Sequence, residues 1–208
     1  MSKYSFRYEK TGLAKYISHL DFVRAINRAL RRAHIPVKYS QGFNPHSLLS
    51  FGMPLPVGYT SVCEIFEAEL ERDMDENLIM EKLNSTLPDG IRILEVSKVC
   101  PDIKKIRYAK YIIKPEFMPG KDFVKSFLEN DTIVIDKKTK SGIKEKDIKK
   151  DIREINLCGT FIEMVLSASN TAYLKPDVVA AAFKKYGFDL GFCQYERVMF
   201  FDENLNKI

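Results

Sequence analysis

The stretch "RAINRALRR" carries Arg24, Arg28, Arg31 and Arg32 and no acidic residue. Wound as a helix at about 100° per residue, it brings Arg24, Arg28 and Arg31 within about 60° of one another, with Arg32 and Asn27 flanking. Each guanidinium is a permanently charged fork of donors, so such a row without carboxylates suits a series of phosphates. A second set of candidates follows in "KYSQGFNPHSLLSFGMPLPVGYTS" (38–61), which contains Tyr39, Phe43, Asn44 and His46. Tyr39, Phe43 and Phe51 are rings that could stack on exposed bases. They could equally form a miniature core for their own segment, the stronger reading for Phe51.

His19 and His46 fall in the same region, with Asp21 beside the first. As chemistry, the two histidines would be an acid–base couple, or part of a metal set with Asp21. They are few and loosely spaced, which favours hydrogen bonds that lock the long segment to the helix. Asp21 reads as part of the helix cap. A histidine in a first helical turn is poorly placed as a cation, because the helix dipole opposes it there. A third candidate is "KKTKSGIKEKDIKK" (137–150), with seven lysines against Glu145 and Asp147. It reads as a mobile arm whose Lys137, Lys138, Lys140 and Lys144 add nonspecific phosphate contacts, weakening steeply with salt.

Composition limits the alternatives. The chain has 208 residues, 45% of them hydrophobic and 12% aromatic, enough for a real core. Its net charge of +5 is modest, yet the arginine stretch and the lysine run concentrate it in two places. Concentrated cationic surface attracts a polyanion, usually nucleic acid in a cytoplasmic protein. No run approaches the roughly 18 uncharged apolar residues of a membrane span, and the N-terminus lacks a signal-peptide core. No membrane association and a cytoplasmic location are therefore expected. Cys63, Cys100, Cys158 and Cys193 lie far apart with no C-x-x-C pair, so they read as structural thiols, with neither metal nor cofactor expected.

The elements that would position these residues repeat. "SKYSFRYEK" alternates as a strand; Ser18 offers a helix N-cap; a helix runs from Leu20 to Ala33 and Pro36 ends it. "VCEIFEAEL" and "IRILEVSKV" are strands around a helix that Asp75 caps. The second half gives strand "RYAKYIIKP", helix "KDFVKSFLEN", strands "TIVID" and "GTFIEMVLSAS", helix "KPDVVAAAFKKYG" and strand "FCQYERVMFF". "DFVRAI" at 21–26 aligns with "DFVKSF" at 122–127, an offset of 101. The expected fold is α+β: two tandem ferredoxin-like (βαββαβ) units with antiparallel sheets, 1–100 and 101–208. The connection at about 39–61 is far longer than a hairpin needs, and too apolar to stay solvated. It should fold into a defined surface.

At these residues the sequence resembles a bacterial family of unknown function linked to radical SAM enzymes. "SHLDFVRAINRALRRAHIPVKYSQGFNPHSLLSFGMPLPVG" is similar to its signature at Ser18 to Asp21, Tyr39, Ser40, Gly42 to His46, Ser50, Phe51 and Pro54 to Gly58. It departs at Ser47, often proline in the family, where a locally freer turn is expected. The lysine run is similar to a second family motif. The resemblance implies a radical SAM enzyme as partner, since this chain lacks the C-x-x-x-C-x-x-C of an iron–sulfur cluster and matches the stand-alone form. Charge and aromatics add RNA, tRNA or rRNA, as a second partner. The leading expectation is an RNA-binding accessory protein rather than an enzyme. The alternatives are an endoribonuclease using His46 and His19, and an adaptor that docks the partner without RNA.

Overall fold

The computed structural model describes residues 2–139 and 142–208. Lys140 lies outside the described residues, as do the side chains of Lys137 and Lys138. The chain divides into two units, one of residues 1–105 with Ile208 and one of Ile106–Lys207.

In the first unit β1 (Ser2–Lys10) alternates as its sequence requires, burying Tyr4, Phe6 and Tyr8. It pairs antiparallel with β3 (Thr60–Leu70) and, on its other side, with β4 (Ile91–Ser97). Phe6 stands opposite Phe66, and the rings stack at 4.4 Å. Helices α1 (His19–Arg32) and α2 (Glu76–Asn84) contribute Phe22, Ile26, Ala29, Leu30, Ile79 and Leu83 to the same core. Ser18 caps α1, its hydroxyl accepting the Asp21 amide at 3.1 Å, and Asp75 caps α2 through the Leu78 amide at 2.9 Å.

Two expectations need correction here. Pro36 does not end α1. His34 does, at a positive φ of 53°, where Ile35 N–H reaches back to Leu30 O and His34 N–H to Arg31 O. These are the paired bonds of a left-handed helix stop, and Ile35 and Leu30 are both buried in the same core. The second strand, moreover, lies inside the long connection. It is β2 (Leu49–Phe51), only three residues, paired with β3 through Leu49–Ala68 and Phe51–Phe66.

The second unit runs β5 (Tyr108–Pro115), α3 (Lys121–Glu129), β6 (Val134–Thr139), β7 (Gly142–Asp147), β8 (Ile152–Cys158), β9 (Phe161–Ser167), α4 (Pro176–Lys185) and β10 (Cys193–Phe201). β5 pairs antiparallel with β10 and β9, and β9 with β8. Phe123, Phe127, Phe183, Tyr186 and Phe188 form an aromatic cluster beside α3 and α4. Pro176 opens α4, and Gly187 follows its end at φ 104°, a conformation that favours glycine.

The lysine run lies on a hairpin. "TIVID" leads into β6, which pairs with β7 in a separate hairpin, and β8 takes the sheet position expected for it. The root of the hairpin is fixed. Asp147 Oδ1 accepts the amides of Ile133 and Lys149, both at 2.9 Å, which holds its carboxyl below the usual range. Ile148 is wholly buried, and Lys185 pairs with Asp136 at 3.0 Å. All four cysteines are free. No helix among the described residues is long and apolar enough to cross a membrane.

Candidate nucleic-acid interface

The segment after α1 folds against the helix in steps that can be followed bond by bond. Lys38 is held to β3 by its amide on Glu69 O, at 2.8 Å, and by its ammonium on the Glu69 carboxylate. Tyr39 then bridges to Ser47 across a loop that Ser40 and His46 close. Ser40 N–H donates to His46 O at 2.8 Å, and His46 N–H donates to Ser40 Oγ at 3.1 Å. Gly42, at φ 126°, makes the turn before the apex. Phe43 forms that apex and is fully exposed, at 106%.

Ser47 fastens the loop to the helix. Its hydroxyl donates to Asn27 Oδ1 at 2.6 Å, while Asn27 Nδ2 donates to Val23 O at 2.9 Å. The freer turn expected at this departure from the family pattern is therefore corrected: a proline there would have no hydroxyl to make the bond.

Between the outer face of α1 and this loop lies a cleft of about 640 Å³. Arg24, Arg28 and Arg31 line it from the helix, with Val23 and Asn27; Tyr39, Pro45, His46 and Ser47 line it from the loop, with Leu49 and Phe51 from β2. The arginine row and the proline–glycine segment thus form one surface. The structure brings together Arg24, Arg28, Arg31, Tyr39 and His46 of the expected set. Phe43 and Asn44 stand exposed at the loop apex, outside the lining. Lys144 is exposed on β7 in the second unit. Val23, Asn27, Ser47 and Leu49 were not among the expected residues, although the helical spacing of Val23 and Asn27 with the arginines could have marked them.

The four arginines differ more than their spacing implies. Arg24 is not unpaired: its Nη1 donates to Asp21 Oδ1 at 3.0 Å. The Ser18 hydroxyl first, and Arg24 second, hold the Asp21 carboxyl below its usual range. Both partners are well exposed, at 69% and 57%, so the pair is weak and open to exchange with a phosphate. Arg32 leaves the face altogether, its Nη2 donating to Thr86 O beyond the end of α2 at 2.5 Å. Arg31 makes a long contact from Nε to Asn27 O, 3.4 Å. Arg28 is exposed and has no partner among the described residues.

The histidines take separate places and share no hydrogen bond or ring contact. His19 sits edge-on to Phe51, with centroids 5.5 Å apart. Burial pushes its pKa down, and the charge of buried Lys10 pushes further against a partial opposing pull from Glu64. His46 Nδ1 lies 2.8 Å from Ser40 Oγ. The same hydroxyl accepts His46 N–H, so the ring is held to the loop closure through a contact in which either atom can donate, depending on the tautomer. His19 is packed as a ring on Phe51, and Phe51 itself packs on Phe22 and Phe66, a small core rather than a free stacking surface.

What the cleft offers is cationic donors beside aromatic and aliphatic walls. Among the described residues no three His, Cys, Asp or Glu side chains gather as they would around a metal. The second unit contains a larger cavity, about 820 Å³, between the β6–β7 hairpin and α4. Its lysines are balanced: Lys146, Lys175, Lys184 and Lys185 pair with Asp151, Asp177, Asp189 and Asp136. An anion gains less there than beside Arg28 and Arg31, for which no ion pair is found among the described residues.

These features define an antiparallel α+β protein with a candidate anion cleft built on its first helix. The chain belongs to the family described as "Uncharacterized protein conserved in bacteria (DUF2344)", which it matches over residues 3–176. No curated protein matches the sequence. Among solved structures it is similar to a chain of "Crystal Structure of a Cbf5-Nop10-Gar1 Complex", at 10% identity and a TM-score of 0.49, covering 96% of this chain and 50% of that one. It is also similar to "Crystal Structure of an Unknown Protein from Galdieria sulphuraria", at 13% identity and a TM-score of 0.28, covering 95% and 98%. The chain spans half the length of the first of these. The functional reading rests on the cleft.

Proposed function

We propose that this protein is a cytoplasmic RNA-binding accessory factor that presents RNA, tRNA or rRNA, to a radical SAM modification enzyme. The observation that carries the RNA half is the cleft itself, where Arg28 and Arg31, with no carboxylate partner among the described residues, stand opposite Tyr39 and His46. Phosphates dominate the affinity of such sites, and rings supply base stacking that tolerates sequence. Phe43 adds an exposed ring at the edge of the same surface. The enzyme half is supported by the resemblance of the signature to the stand-alone form of a radical SAM-linked family. We further assign each unit to the ferredoxin-like class. Strand order β4-β1-β3-β2 in the first and β10-β5-β9-β8 in the second supports this, each being fourth-first-third-second by position along the unit once the β6–β7 hairpin is set aside.

The test is binding of a fluorescent single-stranded RNA, followed by anisotropy at low and moderate salt. Arg28→Glu with Arg31→Glu should weaken binding at least tenfold, on the order of 1.4 kcal/mol or more. Unchanged affinity at low salt overturns the RNA assignment. If the double variant still associates normally with a radical SAM partner while Phe43→Ala does not, the surface is a protein-docking one instead.

A further inference from the structure

Phe43 is the residue the free protein does not explain. Its side chain is completely exposed, so it forgoes the stabilisation that burying such a ring brings. The loop that carries it is nonetheless fixed. Ser40 and His46 close it with three hydrogen bonds, Tyr39 bridges to Ser47, and Ser47 is tied to α1 through Asn27. A rigid loop with a bare phenylalanine at its apex has the form of a wedge, the device by which proteins part stacked bases.

Beside the wedge is a vacancy of suitable size. The cleft of about 640 Å³ falls in the range of sites for ligands as large as a nucleotide. Its walls are of two kinds: Tyr39 and Leu49 offer apolar faces, and Arg24, Arg28 and Arg31 offer charge. The three arginines climb the helix in steps of about 6 and 4.5 Å, which spreads them along a strand rather than around one phosphate. Ser47 Oγ–H is committed to Asn27 Oδ1 and one Asn27 N–H to Val23 O, which fixes both side chains in the wall.

We infer that the cleft takes an extrahelical nucleotide of a structured RNA, with Phe43 filling the gap that the nucleotide leaves in the base stack. This rests on the RNA-binding reading above and narrows it from RNA in general to a duplex with a displaced base. Extrusion costs unpairing and unstacking for a paired base, and least for one already unpaired. The protein therefore binds a bulged site more tightly than a continuous helix, and it does so through Phe43. The cleft takes the base by stacking and the flanking phosphates by charge, so the identity of the displaced base matters little. An enzyme acting on the base would receive it already out of the stack.

The full-length protein is titrated into two RNA hairpins, one with a fully paired stem and one with a single-nucleotide bulge in the same stem. The bulged hairpin should bind at least tenfold more tightly. Phe43→Ala should bring that ratio close to one; Phe43→Trp should restore the preference. Equal affinity for the two hairpins in the unaltered protein overturns the inference but leaves RNA binding intact, as does a bulge preference that survives Phe43→Ala. Failure to bind either hairpin, or single strands, at low salt overturns both readings together.

Discussion

Arg24 and Arg28 sit one helical turn apart yet would meet a phosphate from different starting states. Arg28 has no partner among the described residues, whereas Arg24 must first leave Asp21, which occupies the place a phosphate oxygen would take. Asp21→Asn should therefore raise RNA affinity roughly two- to fivefold at low salt, the scale of an exposed ion pair, and the gain should shrink as salt rises. The helix cap survives that change, since Ser18 accepts the residue 21 amide in either case. Weaker binding by Asp21→Asn in anisotropy titrations would refute the competition. His19 makes a second prediction. Its pKa in the folded protein lies below the ordinary value of 6.5, because burial first and the Lys10 charge second disfavour the cation. The unfolded chain then binds the proton more readily. Stability is full above pH 6.5, falls as the pH drops through the folded pKa, and levels off below it. The urea midpoint should be lower at pH 5.5 than at 7.5, and His19→Gln should flatten that difference. At this scale the arginine face was legible from helical periodicity alone. The Asp21–Arg24 pair was legible too, at its i,i+3 spacing. The loss of Arg32 to Thr86 was not, since the partner is 54 residues away and no local pattern encodes it.

The elements differ in how openly the sequence encodes them. β1, α1 and α4 announce themselves through alternation, a capping serine, an initial proline and a terminal glycine. β2 does not. It is three residues long inside a run of prolines and glycines, and pairing with β3, rather than its own composition, makes it a strand. The β6–β7 hairpin misleads in the opposite way. Its lysines read as solvated charge, while what organises it is burial of Ile148 and two amides converging on Asp147. Once "TIVID" is taken for a strand of the main sheet, β8 is displaced from its place in the sheet order. The signature loop shows how much one side chain can matter for positioning. Ser47 connects the loop to α1 through a single 2.6 Å bond to Asn27, and a second-strand pairing alone would leave residues 40–46 hinged. Ser47→Ala should thus weaken RNA binding by about three- to tenfold, the worth of one hydrogen bond. The thermal midpoint should move little, because Ser47 is outside the core. An unfolded variant, or unchanged affinity, would place the loop's rigidity elsewhere.

At the scale of the whole molecule the proposed RNA binding could be governed by local geometry or by overall charge. A net charge of +5 on 208 residues gives only a weak general attraction, and in the second unit the cavity-lining lysines are matched by aspartates. Affinity governed by total charge would respond alike to removing any exposed cation. A local site would not. For single-stranded RNA each displaced phosphate contact changes the slope of log affinity against log salt by about 0.7. Arg28→Gln should therefore make that slope shallower by about 0.7. Lys144→Gln, which removes the same charge from β7 in the other unit, tests the hairpin independently of where the two units lie. If the hairpin also holds phosphate, its slope change matches that of Arg28→Gln and the double variant shows the sum. If the cleft acts alone, Lys144→Gln leaves the slope unchanged and shifts affinity only slightly. Equal small effects from both substitutions, with no change in slope, would mean that neither surface releases counterions on binding, and the arginine cleft would lose its claim as the site.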